Sequence, residues 1–255
     1  DVVPGAELDH GRPPRLAGHG LVATGAEVVG LTENRGYVRV DIASGETLTA
    51  ELVITCGGLQ SDRLARHVQP DLAEQILPFR GEYYELTPAR RSLVKNLIYP
   101  VPDPRFPFLG VHLTRMIDGS IHAGPNAVLA LAREGYKWTD IDLGDLAEVA
   151  RFPGWWRLAG KFWRTGLGEY YRSLSKGAFV TALQRLVPEL TADDLEPSPA
   201  GVRAQAVNRQ GDLLDDFVWS ETDRVVSVLN APSPAATASL AIGDRITERA
   251  LGHLV

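Results

Sequence analysis

Short β-branched and aliphatic runs alternate with turn residues near the start of the chain, at Ala26 to Leu31, Tyr37 to Ile42 and Leu52 to Thr55. Runs of this length, bounded by Gly, Asn and Ser, predict strands, so the segment is expected to form a small β-meander leading into a buried strand. Cys56-Gly57-Gly58 follows, and Ser61 to His67 brings Leu64 and Ala65 inward at helical spacing. That makes a strand, glycine turn, helix unit. From Pro78 to Ala127 the pattern is again strand-like and interrupted by prolines at 100, 102, 104, 107 and 125, which suits an antiparallel sheet with long loops. Leu143 to Leu190 is predicted helical, strands return at Gly201 to Val207 and Val225 to Leu229, and a last helix is expected from about Pro234 to Leu251. The expected class is α/β, α+β mixed, with residues 78–200 as a second lobe set between 1–77 and 201–255.

Composition narrows the partners. With 44% hydrophobic and 23% charged residues, the 255-residue chain is ordinarily globular, not disordered, and long enough for one large domain or two interleaved ones. A net charge of -6 provides no basic field for phosphate backbones, so nucleic acid is not an expected partner. One cysteine excludes an internal disulfide framework and suits a reducing cytoplasm. No apolar run reaches the roughly 20 residues of a membrane-spanning helix, and Asp1 to Gly5 lack a signal peptide's features. Location is expected to be cytoplasmic or peripheral at the inner face of the membrane. The six histidines and single cysteine show no ligand spacing, so no metal site is expected.

Chemistry concentrates at a few places. The β-branched run from Val225 ends in Asn230-Ala231-Pro232-Ser233-Pro234-Ala235-Ala236-Thr237. Ser233 suits an N-cap and Pro234 a first helical position. Small residues there leave a positive helix end open to a flat, electron-rich ligand; a simple capped core helix is the competing reading. Cys56-Gly57-Gly58 can let backbone approach a ligand, while Cys56 itself is expected to be a small buried hydrophobe. Gly18-His19-Gly20 formally begins a dinucleotide fingerprint, but no apolar strand precedes it and no helix follows. Arg203, inside Gly201-Val202-Arg203-Ala204-Gln205, can grip a carboxylate through paired hydrogen bonds, or form an ion pair with the Asp215-Asp216 region. His112 can take a hydroxyl proton or be a hydrogen-bonded core imidazole. Trp155, Trp156, Phe162 and Trp163 share one helical arc opposite Arg157, Lys161 and Arg164, which suits either core packing or a membrane or quinone-facing helix.

Several longer runs carry a family resemblance: Pro78 to Tyr84, Gly110 to Met116, Gly124 to Val128, Arg133-Glu134-Gly135-Tyr136, Gly201 to Ala206 and Asn230 to Thr237. They resemble the L-2-hydroxyglutarate oxidase or dehydrogenase family, within the wider group of glycine, sarcosine and D-amino-acid oxidases. The resemblance implies a partial FAD/NAD(P)-binding-type domain plus an antiparallel substrate lobe. It implies FAD contacts at Val28, Cys56, Gly57, Gly58 and Pro232, Ser233, Pro234, Ala235, Ala236, Thr237. It implies hydride transfer from L-2-hydroxyglutarate to the flavin, giving 2-oxoglutarate, with oxygen or a membrane quinone as acceptor. Arg203 then holds a substrate carboxylate, with His112 catalytic and Tyr83, Arg115 and Lys176 as further substrate-binding candidates. The family's glycine-rich FAD pyrophosphate cradle is not found in these residues. The alternatives are an amine or amino-acid oxidase of the glycine or sarcosine oxidase type, and a truncated non-catalytic binding domain. Oligomeric state is left open.

Overall fold

A computed structural model describes residues 15–16, 20–101, 110–232 and 234–254. Two short strands, β1 (Arg15–Leu16) and β2 (Gly20–Leu21), pair antiparallel. The predicted meander forms as β3 (Val28–Glu33), β4 (Val38–Ile42) and β5 (Thr47–Ala50), an antiparallel sheet in that order. Polar and apolar positions alternate along it, and Leu31, Val38 and Ile42 are buried.

β6 (Val53–Thr55) pairs parallel with β13 (Val225–Asn230), which in turn pairs antiparallel with β12 (Val218–Glu221). β13 is the middle strand and its first five residues are buried. β6 was expected to be buried as well. Among the described residues it lies at the sheet edge, and Ile54 is exposed while Thr55, on the opposite face, is buried, as side chains alternate along a strand. Gly57 and Gly58 turn the chain into α1 (Ser61–Arg66), which packs against β3, β6 and β13.

The largest sheet is built on β7 (Gln75–Leu86) and β11 (Leu195–Val207), antiparallel neighbours over most of their length. β9 (Ile121–Gly124) and β10 (Val128–Leu129) also pair with β7, and β8 (His112–Arg115) pairs with β9. The expected boundaries at 77/78 and 200/201 fall inside β7 and β11, so two continuous strands run through both parts.

The helical stretch is divided into α2 (Leu143–Arg151), α3 (Pro153–Leu174, broken at Phe162) and α4 (Lys176–Leu183). Asp142 caps α2 and Ser175 caps α4 through side-chain oxygens, which sets both starts. α4 supplies Phe179, Val180 and Leu183 to a core with Leu86, Leu113 and Ile121. α2 and α3 supply Val149 and Leu158 to a second core with Leu77 and Val207. The aromatic arc splits: Trp155 and Phe162 pack on that second core, while Trp156 and Trp163 are exposed.

The last helix, α5, spans Ser239–Leu251, so it starts later than the expected Pro234. Residues 234–238 form successive turns instead, and no side chain caps the helix. They are exposed, so little packing pulls these turns into a helix. Ser233, the expected cap, lies outside the described residues.

Candidate functional site

Side chains alternate along a strand, so β7 presents Phe79, Gly81 and Tyr83 on one face. The register with β11 sets Arg203 opposite Phe79 and Gly201 opposite Gly81. This wall lines a cavity of about 750 Å³, within the range of small-molecule sites. Tyr99, Gly110, His112, Pro125, Asn126, Asp215 and Pro234 also line it. Gly81 is required for the shape: a Cβ there would lie 2.4 Å from Cβ of Pro125 and 2.7 Å from the Asn126 carbonyl oxygen. The segment after β9 therefore lies flat on the strand. Buried Asn126 braces it, accepting from the Glu82 amide at 2.7 Å and donating to the Glu169 carbonyl at 3.3 Å.

Arg203 projects from the wall with Asp215 3.9 Å away. Burial lowers its pKa and the Asp215 carboxylate opposes that effect. Arg203 lines the cavity and faces Asp215, an acid of the region expected to pair with it. Its side chain is 40% exposed. His112 lies with Nδ1 3.1 Å from the Gly110 carbonyl. A carbonyl only accepts, so Nδ1 carries the proton of the neutral ring and Nε2 is the basic nitrogen. Burial lowers the imidazole pKa below its ordinary 6.5, against a smaller raising effect of that hydrogen bond, and the ring is neutral at pH 7. Burial raises the Tyr83 phenol, and neighbouring Tyr99 raises it further, so it stays protonated and able to donate.

Tyr83, His112, Arg203 and Pro234 thus meet in one cavity, although they come from distant parts of the chain. Arg115 and Lys176 do not join them. Arg115 is three residues beyond His112 on β8, which puts it on the other face, where it donates to the Val94 carbonyl at 3.3 Å. Lys176 donates to the Leu195 carbonyl at 2.8 Å and sits over Tyr84, the residue that points away from the Tyr83 face. Tyr99 and Asn126 are cavity residues to which sequence reasoning gave no role, since each has an ordinary local context, while Asp215 was named only as an ion-pair partner of Arg203. The pairing of Ile98 with Leu113 that brings Tyr99 in is a long-range contact.

The cofactor candidates gather at a different edge. Because β6 and β13 are parallel, with Thr55 opposite Ser227, both strands end on the same side, at Cys56-Gly57-Gly58 and at Ala231-Pro232. The carboxyl ends of parallel strands are the usual place for a nucleotide in such sheets. Gly58 holds φ +53°, in the left-handed region, and a Cβ on Gly57 would lie 2.6 Å from Cδ1 of Leu64. Backbone, not side chain, therefore faces outward at this turn. Thr55 Oγ1 and Ser227 Oγ are buried without a hydrogen-bond partner among the described residues. Ala235, Ala236 and Thr237 are exposed beside cavity-lining Pro234 and leave the approach uncrowded. Small side chains, an open backbone turn and orphaned hydroxyls fit a flat nucleotide cofactor at this edge. Val28 lies half-buried on β3, and α1 packs against both that strand and the β6–β13 pair. Cys56 is exposed and not the buried residue expected, as it follows the last paired residue of an edge strand. Desolvation still raises its thiol pKa, so it is no activated nucleophile.

One polar network ties this edge to β7 and α2. Asp62, fully buried in the first turn of α1, accepts from Arg133 at 2.6 Å, Arg66 at 2.9 Å and the Ile76 amide at 3.1 Å. Arg133 also reaches Glu148 on α2 at 2.9 Å and the Leu59 carbonyl at 2.9 Å, while Arg63 joins Asp145 and Glu148.

A parallel strand pair ending on a glycine turn, joined to an antiparallel sheet that carries a cavity, suits a nucleotide cofactor beside a small-molecule site. L-alpha-glycerophosphate oxidase from Mycoplasma pneumoniae, solved with FAD bound, shares the fold with TM-score 0.56 at 18% identity, over 90% of this chain and 50% of that one. Glycine oxidase from Bacillus cereus shares it with TM-score 0.53 at 14% identity, over 89% and 50%. The model of the DAO family, FAD dependent oxidoreductase, matches residues 16–249, and the chain belongs to that family. L-2-hydroxyglutarate dehydrogenase from Indibacter alkaliphilus is 50% identical over 233 residues, 91% of this chain and 58% of the relative. The mitochondrial L-2-hydroxyglutarate dehydrogenase of Nematostella vectensis is 52% identical over 80% of this chain and 46% of its own length. The chain spans about half the length of the curated relatives it matches.

Proposed function

We propose that the protein oxidises an L-2-hydroxy acid, L-2-hydroxyglutarate, to the 2-oxo acid with FAD. The observation that carries the reading is the meeting of Arg203 and neutral His112 in one cavity, whose Pro234 rim adjoins the cofactor edge. FAD, when bound, supplies the acceptor for the hydride leaving C2. Cys56, Gly57, Gly58, Pro232, Pro234, Ala235, Ala236 and Thr237 would hold it, with Val28 toward its far end; Ser233 belongs to the same run of sequence.

Arg203 grips the substrate carboxylate and fixes which face of C2 is presented. His112 Nε2 accepts the hydroxyl proton, a role that needs an imidazole unprotonated at working pH. Tyr83 donates to a substrate oxygen. The apolar share of the wall, Phe79, Pro125 and Val202, excludes water from the reacting carbon. Oxygen or a membrane quinone is the proposed final electron acceptor, and the proposed location is the cytoplasm or the inner face of a membrane. Among the described residues no helix is long and apolar enough to cross one.

The test uses the full-length protein loaded with FAD. Flavin absorbance is expected to bleach on adding L-2-hydroxyglutarate and not on adding glycine or sarcosine; bleaching by the amines alone overturns the substrate assignment. Arg203→Ala is expected to raise KM about 10- to 150-fold with FAD still bound, the loss of a charge-assisted hydrogen-bond pair. An unchanged KM removes the clamp.

A further inference from the structure

We propose that Tyr99 is a positioning residue that holds the His112 imidazole in the cavity with Nε2 outward; its catalytic meaning rests on the reading of His112 as proton acceptor. The placement begins in the backbone. Ile98 and Leu113 exchange two hydrogen bonds of 2.9 Å, as a hydrogen-bonded antiparallel pair does. The same register sets the next two residues, Tyr99 and His112, opposite each other as a non-hydrogen-bonded pair, where side chains approach most closely. Their rings stack, with centroids 4.4 Å apart and planes 19° apart. The Tyr99 hydroxyl lies 3.4 Å from Thr114 Oγ1, one step further along the His112 face of β8, and this steadies the phenol.

The ring is held on a second side as well. Gly110, at φ +71°, bends the chain so that its carbonyl meets Nδ1. Tilting the imidazole breaks the stack, and flipping it breaks the carbonyl bond. Tyr99 also covers one face of the ring from water, which favours the uncharged form. The other ionisable groups lining this cavity are Tyr83, Arg203 and Asp215.

Histidine-labelled protein provides a readout independent of turnover, with the His112 signal assigned by its loss in His112→Gln. Imidazole NMR of the wild type is expected to show the Nδ1-protonated tautomer and a pKa below 6.5. Tyr99→Phe keeps the stack and both features. Tyr99→Leu moves the pKa toward 6.5 and mixes the tautomers, the other histidine signals staying in place. Unchanged pKa and tautomer in Tyr99→Leu overturn the positioning role. In the FAD-loaded full-length enzyme, Tyr99→Leu is expected to lower kcat about 10- to 100-fold with KM within about two-fold, and Tyr99→Phe to restore it. A shifted pKa with unchanged kcat supports the positioning and overturns His112 as the base.

Discussion

Arg133→Met tests whether the buried ion network joins the two parts of the molecule. Methionine keeps the unbranched stem and removes the guanidinium. Arg133 is 3% exposed and Asp62 0%, so the carboxylate that loses its partner at 2.6 Å cannot turn to solvent. Deleting one member of a buried pair costs about 3–5 kcal/mol. Asp62 keeps Arg66 and the Ile76 amide, which places this loss at the lower end, about 3 kcal/mol. In a chain of this size that is roughly 6–12 °C in Tm. Arg63, whose side chain is 37% exposed, makes a comparison within the same network, and Arg63→Met is expected to cost about 1 kcal/mol or less. Urea denaturation followed by tryptophan fluorescence, with thermal unfolding alongside, measures both. A double-mutant cycle with Asp62→Asn is expected to return a coupling of about 1–3 kcal/mol. A loss under about 1 kcal/mol for Arg133→Met, or one equal to that of Arg63→Met, refutes the reasoning.

Gly81→Ala puts a methyl group 2.4 Å from Pro125, and the expected loss is about 1–3 kcal/mol with a reshaped cavity, checked by urea midpoint and by substrate KM in the full-length enzyme. His112 makes stability depend on pH. Its folded pKa lies below 6.5, so in the window between the two values the unfolded chain binds the proton that the folded chain refuses. Stability is therefore full above 6.5 and falls as pH drops through that window; the slope of urea midpoints between about pH 5 and pH 8 is expected to flatten in His112→Gln.

Local sequence determined the elements of this protein. Period-two alternation marked β3 and β4, helical spacing marked α1, and an apolar run marked β13, because burial of one face is written into a few consecutive residues. The candidates Arg203 and His112 were also legible from their residue types, and Tyr83 only through the family resemblance. Strand length and partner order were not. Nothing local says that Gln75–Leu86 is one strand pairing along most of Leu195–Val207, or that β6 lies at an edge with Ile54 and Cys56 uncovered.

The tertiary structure alone decided which candidates meet. Arg115 is three residues from His112 in sequence yet faces away, while Arg203 is far off and faces in, because pleat parity and cross-strand register set direction and sequence distance does not. Tyr99 entered the cavity by the same route, through the single backbone pair of Ile98 with Leu113, two residues well apart in sequence. The start of α5 moved to Ser239, since a cap residue specifies a helix only where packing or propensity sustains the turn that follows.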